Sequence, residues 1–295
     1  MSSSTNYIFK ARTKEAFVIK VIGELLSSHV KYAPFEINRN GIFLTQRDHH
    51  NHQLFQLSLF KENFSSFKLL SESIYFSVNA THFYRMLKAI KKKDTITIFI
   101  TADQPNELGI SVEPSGETIT ITTYLPINYP EHEDIAAPTG YDDNPIIATS
   151  KEFETLKNLY NMSRNILVSS SNGTIRFWCD NNALYKRKVV LGNKEDDDQK
   201  ESQTEEDEYI QNFTNQFITG LTKCARQSGN VQIFLADEAR PLKIKMKAGN
   251  LGDLIIYIKS KEMIEIEREE EQQNGAEDGS DLQMMNELNI AHDDE

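Results

Sequence analysis

One succession of local patterns occurs twice along this 295-residue chain, and that repetition constrains its fold more than any single motif. Residues 13–28 place Phe17, Val18, Val21, Ile22 and Leu25 at the 3.6-residue spacing of a helix with one apolar face. Strand-like runs follow at 35–37, 41–45, 54–60 and 67–78, then a second helix over 81–92 that Asn79 or Thr81 can cap. After Asp94 the period switches to two, giving strands at 95–100, 109–113 and 118–123. The order then restarts. Ser150 is a suitable N-cap for a helix over 151–163 with Phe153, Leu156, Leu159 and Tyr160 on its apolar side. Strands at 165–170, 174–179 and 184–191, a helix over 213–226, and strands at 231–236, 242–248 and 253–259 complete the second half. The halves share little sequence, so the duplication is one of architecture. An α+β chain of two topologically similar domains is expected, 7–124 and 147–262.

Between them, residues 125–146 carry Pro126, Pro130, Pro138, Gly140 and Pro145 among acids, which reads as a long connector. Two further segments are too acidic and too poor in apolar residues for a packed core: an insert at 194–208 and a tail at 263–295, both expected to be disordered. Cys179 and Cys224 form no CxxC pair, so neither a disulfide framework nor a zinc site is expected, and a reducing compartment suits the chain. No run approaches the roughly 18–20 apolar residues of a membrane span, and the first residues lack the apolar core of a signal peptide. A soluble, intracellular protein is the expectation.

The formal net charge of −12 by itself argues against a nucleic-acid partner. Its distribution argues the other way, because exposed charges are screened beyond roughly 8–10 Å. Opposite the apolar stripe of the second helix (Phe83, Met86, Leu87, Ile90) stand Arg85, Lys88 and Lys92. The fourth helix carries Lys223 and Arg226 away from Phe213, Phe217, Leu221 and Cys224, and the first carries Lys20, with Arg12 just before it. On the third, Lys151 and Lys157 compete with Glu152 and Glu154. An acidic chain with basic faces on three of four helices suits sequence-independent contact with phosphates. No Asn/Arg/Gln cluster for reading base edges accompanies them.

These features resemble the DNA sliding clamps of the proliferating-cell-nuclear-antigen type. Ile8-Phe9-Lys10-Ala11-Arg12, Gly41-Ile42-Phe43-Leu44 with Asp48 and Leu54-Phe55-Gln56-Leu57, Ser150-Lys151-Glu152-Phe153, Thr222-Lys223-Cys224-Ala225, Ala236-Asp237 with Pro241-Leu242, and Leu251-Gly252-Asp253-Leu254 with Tyr257 are similar to that family's segments in the same order. The resemblance implies a non-enzymatic polymerase processivity factor: three subunits in a closed ring, helices lining the hole, sheets outside, double-stranded DNA inside. It implies a connector whose end, Ile135-Ala136-Ala137-Pro138 to Tyr141, forms with Leu54, Phe217, Pro241 and Tyr257 a pocket for short Gln/aromatic peptide motifs of polymerases, clamp loaders and other partners. It also implies that the strands holding Ile119, Ile121 and Thr123, and Lys186, Lys188 and Val189, are the two free edges through which subunits join. Work in a nucleus or at a viral or cytoplasmic replication site follows, and an Asn-, Ile- and Lys-rich chain suits a large DNA virus or a protist. Lys259-Ser260 stands where the family carries an Ala-Pro pair beside the pocket, and Ser171 where it often carries a modifiable lysine.

Other readings are weaker on the residues. Asp48, His49, His50 and His52 are read as a solvated, partner-facing loop rather than a metal site, since neighbouring histidines diverge and no second ligand cluster accompanies them. No glycine loop for nucleotides occurs, and no cofactor is expected. Residues 283–290 lack the aromatic pair of a clamp-binding motif. The alternatives to a homotrimeric clamp are one arm of a heterotrimeric checkpoint-type or transcription-linked ring, and an acidic scaffold for basic proteins.

Overall fold

In the computed structural model, residues 6–141, 144–171, 173–180, 185–192, 209–235 and 240–272 are described. The insert at 194–208 and the stretch 283–290 lie outside them. The first half runs β1 (Tyr7–Thr13), α1 (Ala16–His29), β2 (Tyr32–Asn38), β3 (Gly41–Arg47), β4 (Gln53–Phe60), β5 (Ser66–Leu69), β6 (Ser73–Asn79), α2 (Ala80–Leu87), β7 (Thr95–Thr101), β8 (Glu107–Glu113) and β9 (Ile121–Asn128). The second runs β10 (Ile146–Thr149), α3 (Ser150–Glu154) with a 3-10 continuation (Thr155–Leu159), β11 (Asn165–Ser171), β12 (Thr174–Asp180), β13 (Lys186–Gly192), β14 (Tyr209–Thr214), α4 (Asn215–Thr219), α5 (Thr222–Ala225), β15 (Asn230–Phe234), β16 (Leu242–Ala248) and β17 (Gly252–Ile258), followed by a helix α6 over 261–272.

The duplication extends to the hydrogen bonding. β1 pairs with β7 as β10 pairs with β15. β2, β3 and β4 form a meander with β6 beside β2, as β11, β12 and β13 do with β14 beside β11. β7–β8–β9 and β15–β16–β17 are corresponding meanders. The halves fuse where β17 pairs antiparallel with β4, from Gly252↔Leu59 to Ile258↔Gln53. One 13-stranded sheet therefore crosses the domain junction, and a second sheet runs β13-β12-β11-β14. Gly252 is required at the seam: a Cβ there would lie 1.8 Å from the Ser58 carbonyl oxygen.

Strand alternation gives the sheets one apolar face. Phe55, Leu57, Leu254 and Ile256 are buried on it, while Gln56, Ser58, Asp253 and Ile255 point the other way, half-buried. Against the apolar face of the first half lie α1 and α2, through Ile19, Ile22, Phe83 and Leu87. Phe153, Leu156, Leu159, Ile218 and Leu221 do the same for the second half.

Six local expectations are corrected. The run read as strand over 67–78 is two strands, β5 and β6, and the strand expected over 118–123 starts at Ile121 and continues to Asn128, four residues into the segment read as connector. α2 ends at Leu87, not at residue 92, because the buried Asp94 carboxylate takes the Lys91 N–H at 2.8 Å and turns the chain. The third helix becomes 3-10 after Glu154, and its N-cap is Thr149 in a capping box with Glu152, not Ser150. Residues 213–226 are not one helix. Phe213 belongs to β14, and the buried Asn215 side chain donates to the Leu159 and Ser163 carbonyls, which fixes a short helix that closes at Gly220. Residues 261–272 form a helix rather than a disordered tail: Ser260 caps it, Glu262 accepts from the backbone and side chain of Asn212, and Lys259 pairs with Glu267 at 2.7 Å.

Candidate nucleic-acid interface

The helices of both halves form one layer on the same side of the continuous sheet, and charged side chains stitch it. Lys20 on α1 donates to the Ile90 carbonyl just beyond α2 (2.9 Å). Lys20 and Lys92 flank the Phe17 ring, 5.5 and 5.8 Å from its centroid. Lys223 on α5 pairs with Glu24 on α1, and Arg226 pairs with Glu154 on α3 at 2.6 Å. Hydrogen bonds from Lys157 and then Arg226 hold the Glu154 carboxyl below its ordinary range. Arg85 and Lys88 are exposed on the outer surface of the layer. Exposed ion pairs of this kind contribute about 0–1 kcal/mol, so a phosphate can replace the carboxylate at little cost.

Arg12 does not belong to this set. It lies on the strand face of its ladder partner Thr97, opposite Phe9, Ala11 and Thr13, which are buried towards the helices, and it pairs with Glu113 at 2.7 Å. The group that the helix layer brings together is Lys20, Arg85, Lys88, Lys92, Lys223 and Arg226.

Several strand edges are open among the described residues: β5, β10, β13 and β14 end their sheets, and β9 is open over part of one side. β9 meets β6 only at Ser77↔Asn128 and Val78↔Ile127, so its first part is paired on the β8 side alone. Ile119 and Ile121 are 52% and 54% exposed there. With Thr123, they line an apolar hollow of about 280 Å³ completed by Met86, Ile90 and Val112. β13 pairs only with β12, and its Lys186 and Lys188 are exposed while Val189 is half-buried.

The connector crosses the sheet face remote from the helices. His132 packs against Tyr75 with ring centroids 4.6 Å apart, and Ile135 lies in a crevice with Phe43, Leu44 and Thr45. Tyr141 stacks on Tyr257 (5.9 Å) and donates its hydroxyl to the Pro241 carbonyl (2.7 Å). Leu54, Pro241 and Tyr257 are buried, and Ala137 and Pro138 are half-buried. The expected pocket residues thus sit along one face, with Ile135 over the first half and Tyr141 over the second. Phe217 stands apart from them in its ring contacts, which are with His29 and His52 at 6.3 and 6.2 Å.

The family model "Proliferating cell nuclear antigen, N-terminal domain" matches residues 8–125, and the model "Proliferating cell nuclear antigen, C-terminal domain" matches residues 140–261. The chain belongs to the proliferating cell nuclear antigen family. Among its relatives, the proliferating cell nuclear antigen of Chaetomium thermophilum is 24% identical over 260 residues, 86% of this chain and 98% of that one. The DNA polymerase sliding clamp of Nitrosopumilus maritimus is 22% identical over 257 residues, 85% and 97% of the two chains. The crystal structure of the Entamoeba histolytica proliferating cell nuclear antigen shares the fold at a TM-score of 0.70 and 20% identity, covering 86% of this chain and 99% of that one. The two-domain DNA clamp fold and sliding-clamp function follow from this membership, in a family of non-enzymatic scaffolds.

The chain also carries site features that helix and strand patterns did not reveal. Burial, partly offset by Asp48, pushes the His29 imidazole below its ordinary value of 6.5 at the domain junction, where its ring meets Phe55 and Phe217. In the His-rich loop the Asp48 carboxylate accepts the N–H groups of His52 (2.7 Å) and Gln53 (2.9 Å), so it shapes the turn. Among the described residues no three His, Cys, Asp or Glu side chains gather as metal ligands, and no helix is long and apolar enough to cross a membrane. Burial pushes the Cys224 thiol up to about 12 and Cys179 up to about 11, which makes both poor nucleophiles.

Proposed function

We propose that this chain acts as a homotrimeric DNA polymerase processivity factor, with 7–124 and 147–262 as its clamp domains and 125–146 as the connector. The observation that carries the assembly is the pairing of β17 with β4. By the duplication, β17 corresponds to β9 and β4 to β13. β13 has a partner on one side alone, and β9 is paired with β6 only at its last two residues, so both keep free backbone groups for a further strand. The bond that joins the halves within a chain is therefore available again between chains. Such a contact is head-to-tail, and a rotation of one third of a turn closes it into a ring. The uncharged Thr118–Thr123 segment lacks the charges that normally protect an exposed edge, which supports its being covered. Ile119, Ile121 and Thr123 on one edge and Lys186, Lys188 and Val189 on the other are the proposed contacts.

The same rotation turns the helix layer of each subunit inward. Lys20, Arg85, Lys88, Lys92, Lys223 and Arg226 then face the hole and touch phosphates transiently. Topology supplies retention, while each weak, interchangeable contact permits sliding. On the outer face, Leu54, Ile135, Ala137, Pro138, Tyr141, Pro241 and Tyr257 receive the Gln, aliphatic and aromatic anchors of peptides from polymerases, loaders and other replication proteins. Replication sites are where the protein acts. Light scattering on the purified chain tests the assembly: three times 33.8 kDa is expected, and a monomer at micromolar concentration contradicts it.

A further inference from the structure

The end of the connector is held by a cation among three aromatic rings. Phe234 on β15, Lys243 on β16 and Tyr257 on β17 are direct ladder partners, so their side chains form one row on the sheet face away from the helices. Leu54 on β4 continues the row across the domain junction. Tyr141 lies over it, its ring 6.3 Å from Phe234 and 5.9 Å from Tyr257. The Lys243 ammonium is 4.4 Å from the centroid of Phe234, 4.9 Å from that of Tyr141 and 6.0 Å from that of Tyr257. Each distance is within the range at which a ring quadrupole attracts a cation. Burial by the rings, and secondarily Lys245, lowers the Lys243 pKa from its ordinary value, which is the signature of an ammonium drawn partly out of water.

The site matters because side-chain contacts hold the described part of the connector: Tyr141 also donates to the Pro241 carbonyl and has the Arg240 guanidinium 5.8 Å from its ring centroid. No helix or strand is formed by the described residues between β9 and β10. Near its start, His132 is held by Tyr75 and Glu36. Near its end, Gly140, at φ +82°, turns the chain so that Tyr141 drops onto the row. A peptide that lies against a loose wall must order that wall as it binds, and loses affinity accordingly. We propose that Lys243 is a positioning residue of the partner-peptide pocket: its ammonium clasps Tyr141 to Phe234 and Tyr257, and so sets residues 135–141 as the pocket's wall. This rests on the reading of that face as the peptide pocket, but the clasp itself can be tested without any peptide.

Hydrogen exchange and calorimetry on the full-length chain separate the two. Lys243→Met keeps the length of the side chain and removes its charge, and Lys243→Arg keeps a cation for the rings. The probe is a synthetic peptide carrying a Gln, an aliphatic residue and a terminal aromatic pair. Lys243→Met is expected to speed amide exchange across 135–141 while leaving β16 and β17 protected, and to weaken the peptide about 3- to 30-fold. Lys243→Arg is expected to restore both within about twofold. Wild-type exchange at 135–141 in Lys243→Met overturns the clasp, as does a uniform rise over β15–β17, which would mark a merely structural lysine. Faster exchange confined to 135–141, with no peptide binding even by the unaltered chain, keeps the clasp and overturns the pocket reading.

Discussion

Ile121 is where the proposed ring is most exposed to test. Its side chain is 54% exposed in the single chain, over the hollow that Met86, Ile90 and Val112 leave beside β9. Burying a whole isoleucine side chain contributes about 1.5–3 kcal/mol. With half of it left to cover, each subunit interface draws about 1 kcal/mol from this residue. A closed ring repeats the interface three times, so Ile121→Ala removes about 3 kcal/mol per trimer, or roughly 150-fold in the trimerisation constant. Ile121→Asp carries a carboxylate into each interface, which costs several kcal/mol apiece unless it finds a partner, and leaves monomer across the micromolar range. Neither change reaches the core of the single chain, so the monomer should keep its stability within about 0.5 kcal/mol. Sedimentation equilibrium over a dilution series, with urea unfolding of the same samples, measures both. Trimers of Ile121→Asp with unaltered dissociation would refute the assignment of β9 as an interface edge.

Three further outcomes are expected. Reversing the charge of Arg85, Lys88 and Lys92 together should reduce processivity and flatten the salt dependence of duplex binding, by about 0.9 in logarithmic slope for each phosphate no longer neutralised; unchanged processivity would remove α2 from the DNA surface. Because burial lowers the folded-state pKa of His29 below its ordinary 6.5, the unfolded chain takes up the proton first, and stability falls as pH drops through 6.5 towards the folded value. Urea midpoints between about pH 7.5 and pH 5.5 should therefore fall less for His29→Gln than for the unaltered chain, and equal falls would contradict this. Gly252→Ala drives a methyl group into the Ser58 carbonyl at the β17–β4 seam, and should destabilise the chain by about 1–3 kcal/mol; an unchanged melting temperature would argue against that seam.

Most strands and α1 are legible in the sequence because their periodicity is local. In β7, residues 95–101, Thr and Ile alternate from Thr95 to Ile98, and the β-branched and aromatic run continues through Phe99 and Ile100 to Thr101. The broken fourth helix is not legible, since Phe213, Phe217, Leu221 and Cys224 keep helical spacing across a strand end and two short helices. What decides the break is the Asn215 side chain reaching carbonyls some 50 residues earlier in sequence, at Leu159 and Ser163, and spacing carries no record of such contacts. Two of the corrected features do carry a local signal. Arg12 alternates with Phe9, Ala11 and Thr13 in a strand, so period two already sets it on the far face. Ser260 followed by Met263 and Ile264 is a capped helix start, which the acidic composition of the following residues conceals. The cationic faces of α2 and α5 are readable in kind, but Asp94 cuts α2 short, and the pairing of Lys223 with Glu24 joins residues from opposite halves of the chain. The Lys243 row is hidden because β15, β16 and β17 come into register only in the folded sheet.

In the proposed ring the helix layer faces a hole that encloses duplex DNA. Electron cryomicroscopy of the chain loaded on a duplex with blocked ends tests it most directly. A three-fold ring joined through β9 and β13 is expected, with the duplex threaded through it and Arg85, Lys88 and Lys223 nearest the phosphates. A ring with its helices outward, or DNA bound along the sheet face that carries the connector, would contradict it.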